Sequence, residues 1–258
     1  MQRPWRLPDK LRRKYETAEA LGLTEKLRDV GWAGLSAKEA GRRCAEKTDN
    51  QAGKRMYTGF AEVYDTLMND VHYGAWADMY ARMMTAYGIP RNAKVCECAC
   101  GTGSLTLPLQ QLGYEMMGID LSQEMLWQAA QKARKAGFGI PFIRQDMRQL
   151  RLHRPVDAVL ATCDGVNYLL QDVDAAAFFQ SAWEAIKPGG GLFFDVSTPY
   201  KLEHLLGSQF MGEDRRDVTY MWQNRYFPER QQVEMHLAIF VKEPDGRYRR
   251  IDEEQVQR

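Results

Sequence analysis

The chain has 258 residues, 45% of them hydrophobic and 27% charged, with 35 Lys and Arg against 34 Asp and Glu and a formal net charge of +1. A chain of this size and balance can bury one α/β core with accessories, and it demands no polyanionic partner. No run of about eighteen apolar residues occurs and the N-terminal MQRPWRLPDKLRRKYE lacks an apolar signal core, so a cytoplasmic protein without membrane contact is expected.

The charge is unevenly spread. Residues 1–55 hold 14 Lys and Arg against 8 Asp and Glu, a net of +6, and the remainder holds 21 against 26, a net of −5. The pattern predicts a helix from about Asp9 to Ala20, a break at Leu21-Gly22, a short helix to Val30, a turn, and a helix opened by Ser36. Glu39 stands at the capping-box spacing from Ser36. Lys14 to Arg43, KYETAEALGLTEKLRDVGWAGLSAKEAGRR, resembles the α/β-type small acid-soluble spore proteins, with Arg43-Cys44-Ala45 where that family has a glycine pair. The resemblance implies duplex DNA as a partner of residues 10–48, with Lys38, Arg42, Arg43 and Lys47 meeting phosphates; a merely solvated charged helix is the competing reading. Residues 1–48 are thus expected to form a basic helical extension, and 49–56 a polar linker.

The next segment alternates strand and helix. Lys94 to Cys98 reads as a buried parallel strand, with Glu97 as its one acid. A carboxylate there needs hydrogen-bond donors, which predicts that it faces a polar ligand. Gly101 and Gly103 allow a tight turn close to that ligand, and Ser104 to Gln111 continues as a helix. Tyr114 to Asp120 reads as a second strand ending in an acid about twenty residues past the glycines, where a ribose diol would sit. Phe142 to Asp146, Val156 to Ala161 and Gly191 to Val196 complete five strands, with helices at Gln123 to Ala136 and Ala175 to Ile186. The expected fold is α/β, a doubly wound, mostly parallel sheet with its ligand at the carboxyl ends of the strands. Helix capping is the competing reading of Asp120 and Asp146, and three acids at three successive strand ends weaken it.

Five cysteines, an odd number, agree with a reducing compartment. Cys96, Cys98 and Cys100 alternate but have no fourth ligand nearby, so they read as small hydrophobes and no metal is expected.

VCECACGTG (Val95 to Gly103) stands where class I S-adenosylmethionine-dependent methyltransferases have a strand, an acid and a GxGxG turn. The resemblance to that family extends through GIDLSQEML (118–126), RQDMRQL (144–150), ATCDGVNYLL (161–170) and IKPGGGLFFDVSTPYKL (186–202). FAEVYDTLMNDVHYGAWADMY (60–80) is similar to the helical lead-in of a bacterial subgroup. The resemblance implies a Rossmann-like core over 57–198 with S-adenosylmethionine as cofactor. Glu97 and the backbone near Ala99, Gly101 and Gly103 would hold its methionine part, Asp120 its ribose, and Leu121 and Met147 its adenine. Asp146 would accept from the adenine amino group, Cys163 would lie near the methionine moiety, Met125 would line the site, and Tyr64 and Tyr73 would roof it. A core role competes for each of these tyrosines. Ala99 replaces the first glycine of the family turn.

Methyl transfer from a sulfonium needs alignment and water exclusion more than acid–base chemistry. Tyr168, Asp164 and Asn167 after the fourth strand, and Tyr200 after the fifth, are the candidates for orienting or deprotonating an acceptor, with Tyr168 first. Ordinary turn and cap roles compete for all four. Cys163-Asp164-Gly165-Val166 stands where exocyclic-amine base methylases carry an acid or Asn followed by Pro-Pro-aromatic, and no Pro-Cys nucleophile occurs there, which disfavours base methylation. A small molecule or a protein remains as acceptor.

Val218 to Tyr226, Gln232 to Lys242 and Arg247 to Asp252 read as an antiparallel meander. The resemblance implies that residues 199–258 cover the substrate pocket; either the meander strands take the place of the family's last strands, or, the favoured expectation, this is a shortened C-terminus that leaves a sheet edge bare. The alternative readings are a DNA-binding fusion whose methyltransferase-like domain is weakly active or inactive, and a cofactor-binding module without activity. An NAD oxidoreductase is a weaker rival, because Thr106 stands where its fingerprint needs glycine.

Overall fold

The computed structural model describes residues 59–258. The helices, linker and DNA contacts expected before residue 57 lie outside the described residues.

Two helices lead in, α1 (Phe60–Leu67) and α2 (Tyr73–Ala86). The core follows as β1 (Lys94–Cys98), α3 (Thr106–Gln111), β2 (Glu115–Asp120), α4 (Gln123–Lys135), β3 (Phe142–Arg144), β4 (Val156–Ala161), α5 (Asp172–Ala185) and β5 (Ile186–Phe194). The five strands pair in parallel in the order β3-β2-β1-β4-β5. The chain therefore runs outward from β1 to β3 and returns to β4. That reversal opens a crevice at the carboxyl ends of β1 and β4, where ligands of doubly wound sheets bind.

β1 is buried on both faces because it lies in the middle. Val95 packs with Tyr80, Ala81 and Met84 of α2 and Leu109 of α3, whereas Cys96 and Cys98 pack with Phe178 and Ala182 of α5. The alternation of strand side chains sends Glu97 to the α3 side, away from the two cysteines.

A second sheet, β6 (Phe210–Asp214), β7 (Val218–Phe227), β8 (Gln232–Lys242) and β9 (Tyr248–Gln257), is an antiparallel meander in that order. Its inner face (Val218, Val233, Met235, Leu237, Ile239, Ile251) packs on Phe60, Val63 and Leu67 of α1 and Met125 of α4. β6 was not expected: FMGED has no period-2 apolar pattern, and all five residues are exposed. β9 outlasts its expected end, since Glu253, Gln255 and Gln257 extend the ladder although polar. β5 begins five residues early and ends two early: Ile186 pairs with Val156 and Gly191 with Ala158, and residues 187–190 bulge out between them, with Gly189 at φ 84°. Among the described residues, no helix is long and apolar enough to cross a membrane.

Candidate active site

The carboxyl end of β1 is fastened to α3 and to the residue after β4 through one buried acid. Glu97 is 1% exposed; its Oε2 accepts from Thr106 Oγ1 at 2.5 Å and its Oε1 from Thr162 Oγ1 at 2.8 Å. Burial pushes the carboxyl up to about 7, the two threonine hydroxyls resist the rise, and the nearby Asp120 adds to it. The sequence singled out the acid but not its hydroxyl partners, which lie nine residues ahead in α3 and just past β4.

Beyond Glu97 the backbone turns sharply. Ala99 has φ 52°, Gly101 φ 54° and Gly103 φ 69°. An alanine in the left-handed region costs about 1–2 kcal/mol. Strain of this kind gathers at functional sites. Cys163 (φ 53°) and Asp164 (φ 52°) share it at the end of β4. A Cβ placed on Gly101 meets no heavy atom within 4 Å, so the turn opens onto free space there. A Cβ on Gly103 would meet Ala129 and Phe142 at 3.1 and 3.2 Å, which marks that glycine as a packing glycine.

Asp120 ends β2 beside this turn. Its Oδ2 accepts from the Gly101 N–H and its Oδ1 from the Ser122 N–H, both at 2.8 Å. Burial raises the carboxyl from its usual range, and the backbone amides of Ser122, Gly101 and Leu121 oppose the rise. Leu121 is 51% exposed and Met147 buried, so an open and a closed apolar surface lie beyond the ends of β2 and β3. Asp146 caps the short turn Met147–Gln149 and is gripped by Arg148, whose NH2 donates to Oδ2 at 2.6 Å. Burial works against its charge, but Arg148 outweighs burial and holds the carboxyl below its usual range. The capping reading thus describes part of what Asp146 does. Met125 packs in the apolar cluster shared by α1 and the meander.

Across the crevice, Tyr64 of α1 and Tyr73 at the start of α2 lie side by side, near Cys163 and Tyr168. Burial raises both hydroxyls. α1 is tied to the glycine turn by a network the sequence did not suggest. Asp65 Oδ1 accepts from Thr102 Oγ1 at 2.6 Å, and its Oδ2 pairs with Lys132 Nζ of α4 at 2.6 Å.

The loop after β4 is held from two sides. Asp195 accepts from the N–H groups of Cys163 and Asp164 at 2.8 and 2.7 Å and from Tyr80 Oη at 2.7 Å. Asn167 is 5% exposed; its Nδ2 donates to the carbonyls of Ser197 and Arg258, and its Oδ1 accepts from Ser197 N–H. Its side chain is therefore a cross-link rather than a group free to meet substrate. Tyr168 Oη donates to Gln255 Oε1 of β9 at 2.7 Å, and Asp164 Oδ2 accepts from Ser197 Oγ at 2.9 Å. Tyr200 is 65% exposed, with its ring tilted by 58° against that of His204.

A doubly wound sheet with a strained glycine turn at its switch point and an acid at the end of the next strand defines a protein that binds a nucleotide-like cofactor. The model of the methyltransferase domain family matches residues 95–190. The chain is 34% identical to a methyltransferase-family protein of Geobacillus sp. (strain WCH70) over 76% of this chain and 80% of that one. It is also 34% identical to one of Bacillus subtilis (strain 168) over 79% and 80%. A solved S-adenosylmethionine-dependent methyltransferase from Clostridium acetobutylicum is similar with a TM-score of 0.69 and 32% identity, over 78% of this chain and 81% of that chain. The chain belongs to the class I S-adenosylmethionine-dependent methyltransferases, and its cofactor is S-adenosylmethionine.

Proposed function

We propose that the methyl acceptor is a small molecule, bound between the carboxyl ends of β1 and β4 and the inner side of β9. The observation that carries this reading is the Tyr168–Gln255 hydrogen bond, which brings the meander over the loop after β4. A crevice roofed by a strand and by Tyr64 and Tyr73 suits a compact acceptor better than a polypeptide surface.

The residues present fit the cofactor. The free space over Gly101 leaves room for a ligand against the backbone, and Asp120 keeps lone pairs beyond its two backbone bonds. In this reading Asp120 takes the ribose hydroxyls and Leu121 and Met147 bracket the adenine. Asp146, both of whose oxygens accept from Arg148, would take the amino group with a remaining lone pair, and the turn from Ala99 to Gly103 lines the methionine end together with Cys163. Glu97, with both oxygens bonded, acts by fixing the walls at β1, α3 and β4. S-adenosylmethionine supplies a methyl already activated on a sulfonium. The chain then has to align the acceptor's lone pair and exclude water, which is the work of Tyr64, Tyr73 and the β9 side chains. Tyr168, whose hydroxyl donates to Gln255 Oε1, orients the acceptor.

The test is incubation of the 258-residue chain with methyl-labelled S-adenosylmethionine and a fractionated bacterial extract. Label in the low-molecular-mass fraction supports the reading, and label confined to protein overturns it.

A further inference from the structure

The inner side of β9 changes character along its length. Ile251, Glu253, Gln255 and Gln257 alternate inward while Asp252 and Glu254 face out. Ile251 joins the apolar cluster under the meander, whereas Gln255 and Gln257 reach the loop after β4. Gln257 is 3% exposed. Its backbone position is fixed by the next residue, since Arg258 N–H donates to the Asn167 carbonyl at 2.9 Å and the Arg258 guanidinium reaches the Leu170 carbonyl at 3.1 Å and Asp172 at 2.7 Å.

The amide of Gln257 faces Asp164. Burial raises that carboxyl, and the Lys201 charge, the Ser197 hydroxyl and the Gln257 amide oppose the rise. A carboxylate accepts and does not donate, so the NH2 end of the amide lies on the Asp164 side and the carbonyl end points away. That carbonyl oxygen, Oε1, is buried and has no hydrogen-bond partner. A buried carbonyl left unpaired forfeits its hydration without return, and folded proteins seldom keep one unless a ligand or a bound water completes it. The orphan belongs to a side chain that reaches Asp164, which lies at the carboxyl end of β4 two residues past Thr162, whose hydroxyl meets Glu97. The same loop carries Tyr168, whose hydroxyl donates to Gln255, the residue two before Gln257 on the inner side of β9.

We propose that Gln257 is a specificity residue for the methyl acceptor, its Oε1 accepting a hydrogen bond from a hydroxyl or an amine N–H of that molecule. The acceptor is then a hydrogen-bond donor at the point where it meets β9, and an analogue whose donor is already methylated leaves Oε1 unpaired. This inference rests on the proposed placement of the acceptor between β4 and β9.

The test compares the wild-type chain with Gln257→Met, which keeps length and removes the amide, both saturated with S-adenosylhomocysteine. The probes are matched pairs, benzyl alcohol with benzyl methyl ether and benzylamine with N,N-dimethylbenzylamine, and binding is read by saturation-transfer NMR. The wild type is expected to favour the donor member of a pair by about tenfold, and Gln257→Met to favour neither. Absence of a donor preference in the wild type, or its survival in Gln257→Met, overturns the proposal. Thermal unfolding of the ligand-free proteins gives a second reading. Gln257→Met also loses the contact of the amide with Asp164, so a lower midpoint with a cooperative transition is expected and shows that the variant folds and that the binding comparison stands. Titration with S-adenosylhomocysteine separates the two layers of inference: equal affinity in both proteins leaves the cofactor site standing whatever the probes show.

Discussion

The N–H of Gly101 donates to Oδ2 of Asp120 at 2.8 Å, across nineteen residues of chain. One side chain at the end of β2 thereby holds the apex of the glycine turn after β1, and Ser122 N–H occupies its other oxygen. Asp120→Ala removes both anchors and, in the proposed placement of the cofactor, the ribose acceptor with them. Calorimetric titration with S-adenosylmethionine is expected to show a loss of about 1.5–3 kcal/mol in binding. Unchanged affinity would remove Asp120 from the cofactor site.

Gly101 itself is predicted to tolerate no side chain in the bound state. Its φ of 54° strains any L-residue, and a Cβ there projects into free space rather than into protein. Gly101→Val should therefore fold, at a cost of about 1–2 kcal/mol, and lose S-adenosylhomocysteine binding. Cooperative unfolding with normal binding would show that the space over the turn is not where the cofactor lies.

These two residues also show how far the sequence carries. The glycines, Glu97 and Asp120 are legible because a buried strand end tolerates an acid or a tight turn only for a reason, and their spacing follows from the βαβ unit. β4 matches its expected limits to the residue, being a short apolar run between turns. The fastenings are not legible: Thr106 and Thr162 on Glu97, Asp195 on the loop after β4, and Gln255 on Tyr168 join residues from 9 to 87 positions apart. No local period encodes such pairs. Asn167 looked like a capping or catalytic residue because type and neighbourhood were visible, while its three backbone partners were not.

Asp65 offers a third test, because it joins α1 to Thr102 in the glycine turn and to Lys132 of α4. The Asp65–Lys132 pair is partly exposed, at 43% and 28% of the side chains. Such a pair contributes only about 0.2–1 kcal/mol to folding. Asp65→Ala is thus expected to shift the melting midpoint little. In the proposed reading Tyr64 beside it roofs the crevice, so its effect should fall on the cofactor: stopped-flow release of S-adenosylhomocysteine should quicken several-fold. An unaltered release rate would separate α1 from cofactor retention.

Glu97 sets a pH dependence whose sign can be worked out. Its carboxyl is pushed up from 4.5 to about 7 by burial, against the pull of Thr106 and Thr162. Below pH 4.5 the group is protonated whether the chain is folded or unfolded, and the neutral form suits the buried site. Between 4.5 and about 7 the unfolded chain ionises first, so this contribution to stability is lost as pH rises through the folded value, by up to about 3 kcal/mol, and is flat above it. Gln in place of Glu keeps one acceptor and one donor for the two threonines and never ionises. Other carboxylates act in the opposite sense: Asp157 is held below its usual range by the Lys187 and Lys94 contacts that outweigh its burial. The quantity to measure is therefore the difference in unfolding free energy between wild type and Glu97→Gln at pH 5 and pH 8. The variant should gain on the wild type as pH rises. Parallel pH profiles would mean that Glu97 ionises in the folded chain as it does in water, and that the two hydroxyls fully offset its burial.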